Sequence, residues 1–348
     1  VQNWSAIASH NYKDMLNTIA LTVAICTYNG EKRLPEVFER LQQQVDLENL
    51  SWEILIVDNN SSDRTAELIR AYQINWSICD LVYCFEPQQG LAYARQRALN
   101  EAKGKYIGFL DDDNLPDPQW ARSAFAFGEA HPTAGAYGSR IYADFAVTPP
   151  EGFEEFVSFL GAKDRGEKAF IYQPRKRILP PGAGLVVRQQ AWLENVPKQL
   201  FLKGRVGKSQ LASEDLEALA YIQNGGWEIW HNPQMQITHR IPEFRLQPEY
   251  LLAIVRGIGL ARYHIRMIRL KIWQRPLLFP LYALNDLRKY VYLWLKYQRK
   301  AQKNLATACE MEFVLSSLVS PFYLWKETWH RKEKAEDLAF PQIDNHLQ

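Results

Sequence analysis

Apolar runs and amphipathic stretches alternate along the first third of the chain. Leu21-Thr-Val-Ala-Ile-Cys26 is a short apolar run that ends in the polar Thr27-Tyr-Asn-Gly30. Leu34, Val37, Phe38 and Leu41 then recur at helical spacing through Pro35 to Gln44. Trp52-Glu-Ile-Leu-Ile-Val57 is a second apolar run, closed by Asp58-Asn-Asn-Ser-Ser-Asp63. Thr65 to Tyr72 reads as a helix with Asp63 in position to cap it. Leu81 to Phe85 and Tyr106 to Leu110 predict two more strands, on either side of a helix from Gly90 to Lys103. Strand and helix alternate with a period of about 30 residues, the length of one βαβ unit, so the sheet should be parallel and the class α/β. Ligands of such sheets bind at the carboxyl ends of the strands. Those ends carry Thr27, Tyr28 and Asn29, then Asp58 to Asn60, then Glu86, then Asp111 to Asp113.

Beyond Asp113 the pattern loosens. Trp120 to Ala130 predicts a helix, Gly135 to Arg140 the start of a strand, and Gly182 to Val187 another strand. Thr148 to Arg177 is rich in Gly, Pro and charge and reads as a lid-like loop. Ser213 to Gln223 predicts a helix, and Trp227 to Trp230 and Met235 to His239 two short strands. From Pro248 the chain turns helical, basic and aromatic. The expected division is an arm over 1–20, a catalytic domain over 21–245 and a helical basic region over 246–348.

The net charge of +2 over 348 residues hides an asymmetry. Between Leu251 and Lys303 the sole acid is Asp286. Such a tail suits an anionic partner, membrane or nucleic acid. No recognition motif accompanies the charge, which argues against nucleic acid. Leu251 to Leu260 and Leu277 to Leu284 are apolar, and Trp273, Tyr290, Tyr292 and Trp294 lie beside them among Arg and Lys. That mixture fits helices lying in a membrane interface, and equally helices packed on the catalytic domain with a solvated basic face. Val314 to Trp325 is a further docking or interfacial stretch. No uninterrupted apolar run reaches the ~18 residues of a membrane span, and Val1 to Ala20 lacks the core of a signal peptide. The expected location is the cytoplasm, or the inner face of the plasma membrane. Cys26, Cys79, Cys84 and Cys309 form no CxxC pair and read as thiols rather than metal ligands.

The chemistry concentrates in a few places. Asp111, Asp112 and Asp113 in a row repel one another unless something positive offsets them. A hard divalent cation does so, with oxygen ligands from protein and diphosphate. Such a cluster can also be no more than an acidic loop capping a helix. Glu214 and Asp215 open a helix, where acids are ordinary, but a transferase needs a base beside its acceptor hydroxyl and Asp215 fits. His239 is a lone histidine, structural or a metal ligand. Asp58 could accept from a base or ribose, or close a turn. Arg95, on a helix that starts near Gly90, could reach a phosphate, whereas Arg97 fits a solvated face. Trp192, Trp227 and Trp230 fit core positions better than a sugar platform.

Five segments carry a resemblance. They are Val23-Ala-Ile-Cys-Thr-Tyr-Asn29, Ile56-Val-Asp-Asn-Asn-Ser-Ser-Asp63, Gly90-Leu-Ala-Tyr-Ala-Arg95, Phe109-Leu-Asp-Asp-Asp113 and Glu214-Asp215. In this order and spacing the chain resembles the family 2 glycosyltransferases of the GT-A fold, over roughly Leu21 to Ile241. Tyr28 to Glu36 and Ile178-Leu-Pro-Pro-Gly-Ala-Gly184 are similar to the cyanobacterial hormogonium polysaccharide glycosyltransferases. The resemblance implies a Rossmann-like, mostly parallel sheet flanked by helices. It implies a nucleotide-sugar donor, a glycan or lipid-linked glycan acceptor, Mn²⁺ or Mg²⁺, and inversion at the anomeric carbon. By position, Thr27, Tyr28, Asn29 and Asp58 would hold the nucleotide. Arg95, Asp111 and Asp112 would contact the nucleotide sugar. Asp113, with Asp111 and His239, would hold the metal, and Asp215 would be the base. The competing readings are a non-catalytic nucleotide-sugar-binding subunit and a sugar nucleotidyltransferase. The second fits poorly, because the loop after the first strand, Thr27 to Arg33, carries a single glycine.

Overall fold

The computed structural model describes residues 19–150, 153, 156–176, 178–204, 211–297 and 304–339. Most of the expected arm, residues 1–18, lies outside these, as do 151–152, 154–155 and 177 of the expected lid. The chain divides into two compact units, Val1–Leu251 and Leu252–Gln348.

The first unit is built on a nine-stranded sheet. Its strands are β1 (Leu21–Thr27), β2 (Trp52–Asp58), β3 (Asp80–Phe85), β4 (Tyr106–Asp111), β5 (Asn114–Pro116), β6 (Ala134–Phe145), β7 (Phe170–Ile171), β8 (Leu185–Arg188) and β9 (Glu228–Ile241). The order is β3-β2-β1-β4-β8-β6-β9-β5, with β7 added against β9. The first four strands are parallel. β1 and β2 are buried along their whole length, as expected of strands covered on both faces. The helices of this unit are α1 (Leu34–Gln42), α2 (Thr65–Asn75), α3 (Leu91–Glu101), α4 (Trp120–Ala130), α5 (Gln189–Asn195) and α6 (Glu214–Asn224). On α1 the buried residues are Leu34, Val37, Phe38 and Leu41, the stripe its spacing predicts.

Register places the site. Thr27 pairs with Asp58, and Cys26 pairs with Asp111, so the polar ends of β1, β2 and β4 share one edge. The sheet then changes direction, since β8 runs antiparallel to β4 and β6 antiparallel to β8.

The two short strands expected at 227–230 and 235–239 are one strand, β9, parallel to β6. Its register slips between Ser139, opposite Asn232, and Arg140, opposite Gln236. Pro233 falls inside the slip, where its missing N–H removes no ladder bond. The apolar pattern breaks there while the strand continues. The three-residue β5 was not expected, nor was α5. β5 pairs antiparallel with β9 and sets Asn114 opposite His239. Of the expected lid, Val157–Leu160 and Pro174–Lys176 are 3-10 turns and Phe170–Ile171 is β7.

The second unit is helical. It holds most of α7 (Pro248–Ile268), then α8 (Arg275–Tyr297) and α9 (Leu305–Ala339). Arg256 pairs with Glu312 at 2.6 Å, and Ser320 donates to the Leu260 carbonyl, which ties α9 to α7. Asp286 is buried and ion-paired with Arg266 at 2.5 Å. Leu305–Trp329 is long and apolar enough to cross a membrane by length and composition, with mean hydropathy 1.2. An uninterrupted-run criterion passes over it because Glu310, Glu312 and several serines intervene.

Candidate active site

The three consecutive aspartates meet three arginines, one each. Asp112 accepts from Arg33 Nε and Nη2, both at 2.8 Å, and from Thr27 Oγ1 at 2.6 Å. Asp113 lies 2.8 Å from Arg245 Nη2 and 3.4 Å from His239 Nε2, and Asn114 Nδ2 donates to its Oδ1 at 3.0 Å. Asp111 lies 3.8 Å from Arg95 Nη2. The repulsion evident in the sequence is therefore offset within the chain. Arg33 and Arg245 were not among the expected site residues.

The surroundings split the two flanking acids. Burial pushes the Asp111 carboxyl up, Arg95 opposes it, and the neighbouring Asp113 charge adds to the rise. Burial also acts upward on Asp113, but the His239 contact together with His239, Arg245 and Arg33 charge outweighs it and holds Asp113 below the usual range.

Arg95 was expected to reach a phosphate. Instead its guanidinium is enclosed, with Nη1 3.2 Å from Glu214 Oε1 and its centre 5.6 Å from the Phe109 ring. It joins the end of β4 to the start of α6. Glu214, named from the sequence at the helix start but given no role there, is its buried partner. Ser213 sits in the left-handed region at φ 85° and gives α6 no side-chain cap. The acids of the first turn favour the helix N-terminus by charge. Next along, Asp215 Oδ2 accepts from the Gly182 N–H at 2.6 Å and Oδ1 from its neighbour's N–H, Leu216, at 2.7 Å. Two backbone donors fix the carboxylate, and each oxygen keeps a lone pair for another partner.

At the other side of the edge the expected nucleotide residues are largely engaged with one another. Asp58 Oδ1 accepts from Ser61 N–H at 2.9 Å and Oδ2 from the Tyr83 hydroxyl at 3.0 Å. Asn29, at φ 52°, accepts from Ser62 N–H at 2.8 Å. Asn59, not singled out earlier, is buried and binds Gln88 O and Gly90 N–H at 2.7 Å each. Tyr28 is exposed. These bonds make a rigid rim beside an open aromatic ring. Trp192 is buried against Phe109, a core position as expected.

Among the described residues no three His, Cys, Asp or Glu side chains converge as a ready metal cluster. Asp113 and His239 alone form a hard-cation donor pair, and their 3.4 Å separation suits neighbouring ligands of one small ion. Mg²⁺ and Mn²⁺ sites of this kind take few protein ligands and draw the rest from substrate phosphate and water. His239 Nδ1 is buried without a hydrogen-bond partner in the structure, while Nε2 faces both Asp113 and Arg245 Nη1, the latter at 3.2 Å. The donor pair fits a divalent cation that takes its remaining ligands from elsewhere. Cysteine plays no part: all four thiols are free, and burial pushes Cys79 to about 12 and Cys309 to about 11.

Residues 22–188, the span of β1 to β8, match the family model described as Glycosyl transferase family 2. These residues, a little under half of the chain, form a family 2 glycosyltransferase domain. The glycosyltransferase is similar to the succinoglycan biosynthesis protein ExoM of Rhizobium meliloti, 22% identical over 67% of this chain and 71% of that one. It is 29% identical to the poly(ribitol-phosphate) beta-N-acetylglucosaminyltransferase TarS of Staphylococcus aureus, over 32% of this chain and only 19% of TarS. Its fold is similar to that of mannosyltransferase PcManGT from Pyrobaculum calidifontis, solved with GDP-Man and Mn²⁺. The TM-score is 0.54 at 16% identity, covering 90% of this chain and 94% of that one. The GT-A fold expected from the sequence is thereby borne out, as is the enzyme class.

Proposed function

We propose that the glycosyltransferase moves a sugar from a nucleoside diphosphate donor to an acceptor hydroxyl in polysaccharide assembly, with metal dependence and inversion. One observation carries this reading. The Asp113–His239 pair and the anchored Asp215 carboxylate are connected through the Asp111–Arg95–Glu214 contacts at a single sheet edge. ExoM and TarS, named for polysaccharide and polymer glycosylation, support the pathway class. PcManGT, solved with a nucleotide sugar and Mn²⁺, supports the donor and the metal.

In this reading Asp113 and His239 would hold the cation, with Asp111 beside them. The cation supplies charge neutralisation to the departing diphosphate. Tyr28 offers its ring to the base, and the Asp58–Asn59 rim shapes the nucleoside pocket. Arg95 is a positioning residue that fixes Asp111 against Glu214. Asp215 takes the proton of the acceptor hydroxyl as its oxygen attacks the anomeric carbon and the nucleoside diphosphate leaves. A single displacement needs a base and no protein nucleophile. The product is proposed to be an exopolysaccharide, in keeping with the resemblance to the hormogonium polysaccharide enzymes.

The helical unit supports a membrane-surface partner and a lipid-linked acceptor. Its interior holds Asp286, Ser316, Ser317 and Ser320, while Trp273, Leu277, Leu281 and Leu284 lie exposed on and beside α8, and Phe322 and Trp325 on α9. Apolar side chains exposed in this way, among cationic ones, fit a lipid interface. Four free thiols suit the cytoplasmic side of that membrane.

The test is a donor screen with UDP-, GDP- and dTDP-sugars in Mn²⁺, Mg²⁺ or EDTA, reading released nucleoside diphosphate. Metal-dependent release from one donor, lost in Asp113→Ala, is expected. Donor binding with no turnover in the presence of any glycan acceptor would instead mark a binding subunit.

A further inference from the structure

Arg245 bridges the two side chains assigned to the metal. Its Nη2 lies 2.8 Å from Asp113 Oδ2 and its Nη1 3.2 Å from His239 Nε2. Those two ligands stand 3.4 Å apart. A guanidinium is permanently charged and has only donors to offer, so it serves Asp113 as a monovalent counter-cation. The other two arginines do not do this. Arg33 is spent on Asp112, and Arg95 has Glu214 as its nearer partner. Arg245 Nε is buried with no hydrogen-bond partner in the structure, so part of its donor fork is unused in this arrangement.

We propose that Arg245 is a resident counter-cation that keeps bare divalent metal off Asp113 and His239 until a nucleoside diphosphate arrives. This rests on the metal-dependent reading above. A divalent ion entering alone must either displace a nearly buried ion pair or sit against a like charge. A diphosphate changes both conditions. Its oxygens match the guanidinium fork better than one carboxylate oxygen and one ring nitrogen do. Arg245 then passes its hydrogen bonds from Asp113 to phosphate, and the freed carboxylate and imidazole take the metal that the same diphosphate ligates. Metal and donor thus bind as a unit, and each raises the other's affinity by the same factor.

The experiment uses the full chain and Mn²⁺ itself, followed by the loss of the free-ion electron paramagnetic resonance signal. Wild type, Arg245→Gln and Arg245→Lys are titrated with Mn²⁺ alone, then with UDP or GDP at saturation. Wild type should take up Mn²⁺ weakly alone and tightly with the diphosphate. Arg245→Gln should bind Mn²⁺ alone more tightly than wild type by about tenfold or more, within the usual scale of coupling between sites. Mn²⁺ alone should also raise its Tm while leaving that of wild type unchanged. Arg245→Lys, which keeps the charge but not the fork, should fall between the two and serves if Arg245→Gln does not fold. Equal affinity of wild type and the variants for Mn²⁺ alone would overturn the proposal and leave the metal reading intact. Absence of Mn²⁺ binding even with diphosphate would overturn the metal reading, and this proposal with it.

Discussion

Gly182 and Arg95 compete for one space: a Cβ at position 182 would lie 2.2 Å from Arg95 Nη2. The same glycine's N–H holds Asp215. Residue 182 therefore couples the buried guanidinium to the proposed base. Gly182→Ala should displace one or the other, costing about 1–3 kcal/mol of stability by overpacking. Transfer should fall further than stability at a temperature where the variant is fully folded, a comparison made by denaturant unfolding and initial rates.

Asp215→Asn keeps the shape of the side chain and removes its basicity. Transfer should drop by at least about a hundredfold, the low end of what general bases contribute. Nucleotide affinity, read by calorimetry with metal present, should stay within about twofold, since a group acting only in the transition state leaves ground-state binding alone. Comparable losses in both would make Asp215 a structural residue.

The segment expected to be a lid carries a pH-sensitive tether. Arg140 on β6 bonds Asp164 at 3.0 Å, and Asp164 accepts from the Gly166 N–H at 2.7 Å. The Arg140 bond holds Asp164 below the usual carboxylate range. A lowered folded-state pKa means the tether is complete above the unfolded value of about 4 and is lost as pH falls through the lower folded value. Hydrogen exchange at Gly166, corrected for intrinsic rate, should be flat from neutral pH to about 5 and rise below 4. Asp164→Asn should show the loosened segment already at neutral pH, through faster tryptic cleavage at Lys163, Arg165 or Lys168.

The exposed face of the helical unit predicts lipid binding by two separable contributions. Phe322→Ser with Trp325→Ser should weaken sedimentation with both anionic and neutral liposomes. Raised salt should weaken the anionic case alone, because only the charge contribution is screened. Equal, weak sedimentation of wild type with both lipids would remove the membrane partner.

Much of the fold is written locally. β1, β2 and β4 are continuous apolar runs because both faces of those strands are covered, and each run stops where polar residues gather at the carboxyl edge. Asp58, Asp111 and Asp215 could be placed from those stops and from one helix start. Their partners could not. Arg33 meets Asp112 across 79 positions and Arg95 meets Glu214 across 119, so each pairing exists only once the sheet order is known. An acidic triplet at a strand end does signal that cations must be near, but not which ones. Arg245 depends on β5, a three-residue strand too short for any periodicity, whose pairing with β9 brings His239 to Asp113. The whole of β9 was hidden for a related reason: a proline and a slipped register interrupt the alternation without ending the strand.

The exposed aromatic residues of the helical unit also bear on how the protein behaves as a solute. Trp325 and Phe322 leave a large apolar area open to water. If that area is lipid-facing, as proposed, copies in plain buffer should cover it with one another, and detergent or lipid should release them. Oligomer sizes measured with and without amphiphile should then differ, and equal sizes would count against a lipid-facing surface.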